Sequence, residues 1–386
     1  MMMFNAQALK QVSQLLKSFP SPGRRRVLRS WRDFQQLPVT SREDIKAYAS
    51  GGLRHAFNIT ATSGSTSSRM IIAHSRQAYE AHLGRLVMMY RHAGIKPGVL
   101  CLNLCSYELN SGGRMMETAF KAAGAGVIPL GPISSPEKVH EAARLVRLLK
   151  PRIVNAYTNQ LFDLFSVLGR RHSIRRCLVN GEPLWPDYRR RMEKMGGVSI
   201  HDHYGAMEIS GLALALKAGD DSMRVFAQGL LLEVLAQPGE ASPTGTGDLL
   251  VTDLNNTSMP FVRYRLGDRV ELLDRRGALA IKVLGRTQES LLVNGVVVDK
   301  EALIRTVNNC LGTPCFFFLI DKHRLQYYDK LIINVAADRI KPSVCQVVVK
   351  ALGLDNCVEL RKHEGTLPRT LNGKIRYFID ARTKAQ

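Results

Sequence analysis

Between residues 99 and 201, short apolar runs alternate regularly with segments of helix length. The apolar runs are rich in Val, Ile, Leu and Cys and predict strands. Alternation of strands and helices is typical of a parallel sheet whose two faces are covered by helices. The predicted strands are 99–105, 126–130, 152–155, 177–180 and 198–201, and the predicted helices are 113–123, 136–149, 158–168 and 185–195.

The pattern changes after Asp221, where short runs joined by Gly, Pro and Asn turns predict antiparallel strands in a barrel-like or meandering subdomain. Residues 285–289 form a polar joint, and a compact α+β unit is predicted beyond it. We therefore predict an α/β protein with a large domain of residues 1–284 and a small C-terminal domain of residues 285–386. The antiparallel strands are predicted at 230–235, 248–254, 261–265, 270–273 and 278–284, and the small domain is predicted to contain strands 291–298, 315–320, 330–335 and 357–361 with helices 299–311 and 341–352.

The composition is that of an ordinary globular protein. Apolar residues make up 45% and charged residues 23% of the chain, so a packed core is expected. The longest apolar runs, such as Cys315 to Ile320, are far shorter than the roughly 20 residues that cross a bilayer, so no membrane span is predicted. Seven cysteines without a Cys-x-x-Cys pair suit a reducing compartment. We therefore expect a cytoplasmic protein without disulfides or structural zinc.

The net charge of +21 is large, and such a field attracts anions, including nucleotides, acidic proteins, nucleic acid and anionic lipid. No nucleic-acid-binding motif is visible, and the arginines are not interleaved with aromatic residues, so no specific nucleic-acid partner is expected. A basic surface that is simply solvated is an equally good interpretation. The densest basic cluster contains Arg170, Arg171, Arg175, Arg176, Arg189, Arg190 and Arg191.

Residues 60–68 form the most unusual polar segment of the chain. Every residue of this segment except Ala61 is Ser, Thr or Gly, and apolar residues lie on both sides. A loop of this kind between two strands can wrap a polyphosphate with backbone N–H groups and hydroxyls. It is not a Walker loop, because no Gly-Lys-Ser/Thr sequence follows. Taken alone, the segment is better explained by a polar hairpin.

Two further polar motifs follow predicted parallel strands, where open α/β sheets bind their ligands. They are Asn-Gly-Glu-Pro at 180–183 and His-Tyr-Gly-Ala-Met-Glu at 203–208. The second combines an aromatic face, a glycine and a carboxylate, which suits a stacked base and one Mg²⁺ ligand beside phosphates. His201 and His203 alternate on one strand face, but no third ligand lies nearby in sequence, so structural histidines are the better interpretation.

The remaining candidates are Asp268, which follows a strand and a Gly turn, and Lys374 in the turn-rich segment 367–376. A carboxylate in the first position can accept hydrogen bonds from two ribose hydroxyls. A lysine in the second can neutralise charge that gathers between a carboxylate and a phosphate. Each motif alone is also explained by an ordinary hairpin turn or a surface lysine.

In this order, the motifs resemble those of the adenylate-forming superfamily, which contains acyl-CoA synthetases, peptide-synthetase adenylation domains and luciferases. The resemblance is greatest to the phenylacetate–coenzyme A ligase branch. It runs from about Leu37, in the lead-in Leu-Pro-Val-Thr-Ser-Arg-Glu-Asp, to about Asp380. The motifs that carry it are 62–66, 181–183, 204–208, 247–252, 260–268, 285–286 and 373–376.

The resemblance implies an enzyme that uses ATP and Mg²⁺ to convert a carboxylic acid to its acyl-adenylate and then transfers the acyl group to a thiol. The implied thiol is coenzyme A or the phosphopantetheine of an acidic carrier protein. Lys374 would bridge the substrate carboxylate and the α-phosphate, and Glu208 would hold Mg²⁺. The implied phosphate ligands are Thr62, Ser63, Gly64, Ser65 and Thr66, and the implied adenosine ligands are Gly181, Glu182, Pro183, Tyr204, Gly205, Asp268 and Arg286.

The resemblance also implies where the acid binds and how the enzyme moves. Tyr107 and Tyr157 favour a flat or aromatic acid. The small domain would rotate on the polar joint between the two half-reactions, withdrawing Lys374 after adenylation. The implied pocket residues are Tyr107, Asn110, Gly112, Gly113, Tyr157, Gly205, Ala206 and Met207.

The sequence departs from the family pattern in two places. After Thr66 the family has Gly, Lys and Pro, whereas this chain has Ser67, Ser68 and Arg69; at the joint, residues 288–289 are Gln-Glu where the family favours two aspartates. Two alternatives therefore stay open: an adenylation enzyme that loads a carrier protein or an amine, and a nucleotide-binding homologue without turnover. Retention of Asp268, Glu208 and Lys374 argues against the second.

Overall fold

The computed structural model describes most of the chain. Several sequence predictions lie outside the described residues: the phosphate loop at 63–69, Asn110, Pro183, residues 288–289 and Gly373. The described residues are 5–17, 27–62, 70–109, 112–182, 184–217, 219–220, 222–237, 239–287, 290–293, 296–322, 329–336, 343–352, 357–369 and 374–381.

The N-terminal region is a set of helices followed by a hairpin. One face of the first helix is apolar, and its Leu9, Val12 and Leu16 pack against Leu231 and Leu254 of the main sheet region. The elements are α1 (Ala6–Lys17), α2 (Trp31–Gln35), α3 (Arg42–Gly52), a 3-10 turn (Leu53–His55), β1 (Asn58–Ala61) and β2 (Ile71–His74). Strands β1 and β2 are antiparallel and flank the predicted phosphate loop.

The next region is the predicted parallel sheet covered by helices, and the fold class is confirmed. Its strands lie in the order β4-β3-β5-β6-β7, all parallel. Tyr157, Asn180 and His203 are aligned in register. The segments that follow β5, β6 and β7 therefore leave the sheet side by side at the carboxyl ends of the strands, called the carboxyl edge below. The elements are α4 (Arg76–His92), β3 (Leu100–Asn103), α5 (Gly112–Ala122), β4 (Gly126–Pro129), α6 (Pro136–Leu149), β5 (Ile153–Tyr157), α7 (Thr158–Leu168), β6 (Arg176–Asn180), α8 (Pro186–Gly196) and β7 (Ser199–Tyr204).

The antiparallel strands follow as predicted, and they continue the same sheet, which has twelve strands in all among the described residues. The predicted strands 261–265 and 270–273 are one strand, β13, which bulges at Leu266, Gly267 and Asp268 relative to β12. Gly267 has φ +90°, and a bulge re-aims the side chain that follows it. The elements are β8 (Ala213–Leu214), β9 (Met223–Val225), β10 (Leu230–Gln237), β11 (Glu240–Ser242), β12 (Gly245–Asp253), β13 (Tyr264–Arg275) and β14 (Ala278–Arg286).

The C-terminal region has its own core, in which Val307, Phe316, Phe318, Ile333 and Val344 are buried together. The predicted strand 291–298 is divided into two antiparallel strands in the structure. The domain boundary between 284 and 285 stays a prediction. The elements are β15 (Ser290–Val293), β16 (Val296–Asp299), α9 (Lys300–Leu311), β17 (Phe316–Lys322), β18 (Asp329–Ala336), α10 (Ser343–Leu352), β19 (Val358–His363) and β20 (Phe378–Asp380), with β19-β18-β17-β20 in one sheet. No helix among the described residues is long and apolar enough to cross a membrane.

A buried ion pair fastens the N-terminal region to the antiparallel strands. Arg263 Nε lies 3.0 Å from Glu233 Oε2, and its Nη1 donates to the carbonyl oxygens of Gln35 and Leu37 at 2.5 Å each. Arg263 and Glu233 are only 4% and 3% exposed. Removing one partner of such a pair leaves an uncompensated buried charge.

We expect Arg263→Met to lower the free energy of unfolding by about 3–5 kcal/mol, measured by urea denaturation. Arg263 has φ +47°, a strain that Met shares, so the loss reports the ion pair together with the hydrogen bonds to Gln35 and Leu37. Adding Glu233→Leu should restore part of the loss. Arg190→Met is the control, because it breaks an exposed pair with Asp187 and should change stability by less than about 1 kcal/mol. An equal effect of both arginine substitutions would contradict the expectation.

Candidate active site

A lysine from the C-terminal region lies at the carboxyl edge of the parallel strands. Lys374 Nζ donates a hydrogen bond to the carbonyl oxygen of Gly181 at 2.6 Å and lies 4.9 Å from the centre of the Tyr157 ring. Gly181 has φ +72°, and a Cβ on it would lie 2.6 Å from Lys374 Nζ. Glycine at 181 therefore provides both the left-handed backbone and the space for the ammonium group.

Glu182 supplies the opposing charge beside this lysine. Burial lowers the pKa of Lys374, and the carboxylate of Glu182 opposes that shift. Burial raises the pKa of Glu182, which Lys374 opposes, and the backbone N–H of Asn159 donates to Glu182 Oε2 at 3.1 Å. The two groups thus stabilise each other's charged forms, so the ammonium is held where it can meet an incoming anion.

The predicted ribose ligand Asp268 lies between Tyr204 and Arg286. The Tyr204 hydroxyl donates to Asp268 Oδ2 at 2.6 Å, and Arg286 Nη1 donates to Asp268 Oδ1 at 3.1 Å. Burial and the neighbouring carboxylate raise the pKa of Tyr204, so the phenol keeps its proton and remains a donor. A carboxylate has about four lone-pair positions, so it can accept further hydrogen bonds from hydroxyl groups of a ligand. Three residues predicted for adenosine binding are thus brought together.

Glu208 is buried four residues beyond Tyr204, with 7% exposure. Its Oε1 accepts a hydrogen bond from the Tyr264 hydroxyl at 3.2 Å. Burial raises the pKa of Glu208, and nearby arginines oppose that shift. Mg²⁺ in nucleotide sites commonly takes one or two carboxylates together with phosphates and waters. Glu208 fits that role as a single carboxylate; among the described residues, no group of three His, Cys, Asp or Glu side chains converges on a metal position.

The two histidines of β7 lie inside the fold, and their interpretation as structural residues stays a prediction. Both are buried, and His201 Nδ1 lies 2.8 Å from the carbonyl oxygen of Ala215. Burial lowers the pKa of His203 to about 4, so that imidazole is neutral near pH 7.

Arg42 is a candidate that the sequence analysis missed. Its Nη2 donates to Thr62 Oγ1 at 3.1 Å, and the same hydroxyl accepts from the Met70 backbone N–H at 3.1 Å. The charge of Arg42 also opposes the rise in the pKa of Glu208, so the guanidinium acts on the candidate Mg²⁺ ligand as well as on the base of the phosphate loop. Its Nε is buried without a hydrogen-bond partner among the described residues. The sequence signal is the position of Arg42 in the lead-in Leu-Pro-Val-Thr-Ser-Arg-Glu-Asp.

The predicted pocket residues fall into two groups. Around the loop after β3, the Tyr107 hydroxyl accepts from Asn103 Nδ2 at 2.8 Å, and the Tyr157 hydroxyl accepts from the Ser106 N–H at 3.5 Å. Gly113 packs on this loop, since a Cβ there would clash with the Ser106 carbonyl oxygen. A second group packs instead against the core beneath the antiparallel strands; it contains Ala206 and Met207. At Gly112 a Cβ would meet only Met116 Cε, at 3.9 Å, so space does not require glycine there.

A buried ladder of amides below this loop was not predicted. Asn155 Nδ2 donates to Asn103 Oδ1 at 2.8 Å, and Asn180 Nδ2 donates to Asn155 Oδ1 at 3.3 Å. Asn155 Nδ2 also lies 3.2 Å from Cys105 Sγ. Burial raises the pKa of the Cys105 thiol to about 11, so it remains protonated. The ladder fixes the ends of β3, β5 and β6 relative to one another, which holds the edge where Lys374 lies.

Comparison with solved structures defines the class of fold. The chain aligns with 2-hydroxyisobutyryl-CoA ligase in the postadenylation state, in complex with 2-HIB-AMP, with a TM-score of 0.79 and 18% identity, covering 97% of this chain and 88% of that one. The same ligase in the thioesterification state, with 2-HIB-AMP and CoA, gives a TM-score of 0.66 with 19% identity, covering 98% and 89%. The chain therefore has the fold of the adenylate-forming ligases.

Among curated proteins, the chain is similar to the phenylacetate-coenzyme A ligase of Thermus thermophilus, with 24% identity over 291 residues, which is 70% of this chain. The chain spans 64% of that relative's length. This similarity confirms the predicted resemblance to the phenylacetate–coenzyme A ligase branch. No protein-family model matches the chain.

Proposed function

We propose that this protein is an AMP-forming acid–thiol ligase. In the first half-reaction, the carboxylate oxygen attacks the α-phosphorus of ATP, giving acyl-adenylate and pyrophosphate. In the second, the sulfur of a thiol attacks the acyl carbon, and AMP leaves as the thioester forms. The observation that supports the proposal best is the hydrogen bond of Lys374 to Gly181, which holds a cation at the carboxyl edge of the parallel strands.

Each group has a distinct role in adenylation. Lys374 would neutralise the charge that converges from the carboxylate and the α-phosphate, the type of stabilisation that contributes most to many enzymatic rates. Asp268 would accept hydrogen bonds from the ribose hydroxyls, with Tyr204 packing on the adenine. Glu208 would hold Mg²⁺, which when bound supplies positive charge to the phosphates. Arg42 and Thr62 would contact the departing pyrophosphate.

We propose an aromatic or otherwise flat acid as substrate and coenzyme A as the thiol. The Lys374 ammonium lies 4.9 Å from the centre of the Tyr157 ring, so an acid that meets this cation would lie near an aromatic side chain. The named relative from Thermus thermophilus is a phenylacetate-coenzyme A ligase, which agrees with this choice.

The arginine cluster gives little support to a carrier protein as acceptor. Arg176 donates to the Ala93 carbonyl oxygen, and Arg189 is 6% exposed and donates to the Asp220 carbonyl oxygen at 3.4 Å. Arg190 pairs with Asp187. Arg176 and Arg189 are used within the fold, and Arg170, Arg171, Arg175 and Arg190 are exposed, so the exposed basic surface is smaller than the cluster in the sequence. Coenzyme A, a small anion, requires less of such a surface.

Acid-dependent ATP–pyrophosphate exchange across a panel of carboxylic acids tests the first half-reaction. The panel should contain aryl acids, straight-chain acids and small hydroxy acids, and product analysis with coenzyme A, a phosphopantetheinylated carrier protein or an amine identifies the acceptor. We expect exchange with aryl acids and a coenzyme A thioester as product. Exchange with only non-aromatic acids would refute the substrate class, and absence of exchange with any acid would refute the function.

We expect Arg42→Gln to raise the ATP KM and the inhibition constant of pyrophosphate about tenfold each, because a charge-assisted contact to phosphate contributes roughly 1.5–3 kcal/mol. Glutamine keeps a donor for Thr62, so the hairpin of β1 and β2 should be preserved. Arg54→Gln is the control, since Arg54 is exposed in the following 3-10 turn. Unchanged values for both ATP and pyrophosphate would show that Arg42 only supports Thr62.

A further inference from the structure

A second contact fastens the segment that carries Lys374 to the large region. Arg369 Nη2 lies 2.8 Å from Asp163 Oδ2, and the two side chains are only 16% and 19% exposed. Asp163 belongs to α7, whereas Arg369 precedes Lys374 by five residues. The pair therefore joins the C-terminal region to a helix of the parallel sheet, in addition to the hydrogen bond between Lys374 and Gly181.

Arg369 and Lys374 lie on two segments, 368–369 and 374–376, that are joined to each other by backbone hydrogen bonding. Arg369 and Ile375 form an antiparallel bridge, and the Arg376 N–H donates to the Pro368 carbonyl oxygen at 2.8 Å. Ile375 is 6% exposed. Because the bridge joins the two segments next to Lys374, an interaction that holds Arg369 in place also holds the backbone from which the lysine side chain extends.

Helix α7 provides a rigid base for both contacts. It begins at Thr158, immediately after Tyr157, whose ring lies next to the Lys374 ammonium. Its first turn is held by the Asn159 N–H donating to Glu182 and by the Tyr188 hydroxyl donating to the Thr158 carbonyl oxygen at 3.3 Å. Asp163 lies six residues beyond Tyr157, which is about 9 Å along a helix. Two attachment points that far apart restrict both the position and the rotation of the segment.

We propose that the Arg369–Asp163 ion pair is a positioning device that sets the Lys374 ammonium for adenylation. This inference rests on the proposed function. Arg369 acts on Lys374 through the backbone bridge to Ile375 and not by contact with a reacting atom, so it is a positioning residue. It contributes by holding the Lys374 ammonium at a fixed position relative to the carboxyl ends of the parallel strands. A displacement of about 1 Å can reduce a rate about 10²-fold.

The charges of Arg369 and Asp163 suit a contact that forms for adenylation and separates when the Lys374 segment is withdrawn. Burial raises the pKa of Asp163, and the charge of Arg369 opposes that shift. The cost of removing both charges from water thus offsets much of their attraction, as in other partly buried pairs. The contact selects one orientation without a large net gain, so the Lys374 segment can leave the site without a large barrier from this pair.

The test uses Asp163→Asn, Arg369→Gln and the reversed pair Asp163→Arg with Arg369→Asp in the chain of residues 1–386. We expect each single substitution to lower kcat of acid-dependent pyrophosphate exchange by about 10–100-fold with little change in ATP KM. Thioester formation from synthetic acyl-adenylate and thiol should stay within about twofold of wild type. The reversed pair should recover at least about tenfold of the lost exchange. Glu141→Gln, which breaks the exposed pair with Lys138 on α6, is the matched control.

A second readout does not require activity. The rate at which an amine-selective reagent labels Lys374, measured by mass spectrometry relative to exposed Lys362, should rise several-fold in Asp163→Asn and return towards wild type in the reversed pair. Faster labelling without any exchange in wild type would refute the proposed function but support the positioning. Unchanged exchange and unchanged labelling in the single variants would overturn the inference. Equal loss of both half-reactions would also overturn it, because the pair would then serve only to stabilise the fold.

Discussion

Lys374→Ala is expected to lower acid-dependent pyrophosphate exchange by about 10²–10³-fold, the usual effect of removing one group that stabilises transition-state charge. Thioester formation from synthetic acyl-adenylate and thiol should change little, because the predicted rotation of the small domain withdraws this lysine before thiol attack. Both half-reactions are measured separately on the same preparation. The difference between them is the informative quantity, since it distinguishes a role in chemistry from a general loss of enzyme.

The control is Lys362→Ala, a half-exposed lysine of β19 that pairs with Glu364. It should leave both half-reactions and the urea midpoint unchanged. Full exchange activity in Lys374→Ala would mean that the lysine is a surface residue and that the adenylation mechanism is wrong. Failure of both half-reactions in a folded variant would instead contradict the division of labour between two positions of the small domain.

The sequence was sufficient for the features that depend on local pattern. The parallel strands and their helices follow from apolar runs of strand length and the segments between them, because a buried strand is apolar throughout. Asp268 and Lys374 each directly follow a glycine in a turn-rich segment, and the order of the motifs, rather than either residue alone, singles them out. Strand β13 was predicted as two strands because Gly267 and Asp268 interrupt the apolar pattern. The sheet accommodates that interruption as a bulge, which no local pattern distinguishes from a turn.

The contacts that the sequence did not predict join residues far apart in the chain. Asp163 and Arg369 are separated by 206 positions, and neither looks unusual in its own segment. Asn103, Asn155 and Asn180 each lie at or near the end of a strand, but only the strand order aligns them into a ladder. Such pairs follow from topology, because parallel strands bring their carboxyl ends to one edge. The contact between Gly181 and Lys374 also joins distant residues, because it forms where the C-terminal region packs on the carboxyl end of β6, and it leads to the second large expected effect.

Gly181→Ala is expected to lower pyrophosphate exchange by about 10²-fold, because the added Cβ would lie 2.6 Å from the Lys374 ammonium and displace it. The strain of alanine at positive φ is about 1–2 kcal/mol and would itself reduce stability. Gly312→Ala controls for that strain, since Gly312 has φ +73° and ψ 17° and a Cβ there would meet no atom closer than 3.6 Å. The two alanine variants should therefore unfold at similar urea concentrations while only Gly181→Ala loses exchange.

The decisive measurement combines this substitution with the loss of the lysine. If the Cβ acts by displacing the ammonium, adding Gly181→Ala to Lys374→Ala should lower exchange by less than about threefold further, because the group that it displaces is already gone. A full second loss, with a raised ATP KM in both backgrounds, would mean that Gly181 serves the adenine slot directly and that its contact with Lys374 is incidental. Wild-type exchange in Gly181→Ala would show that the ammonium reaches the α-phosphate from another direction, and the position of Lys374 on the Gly181 carbonyl would then have no part in adenylation.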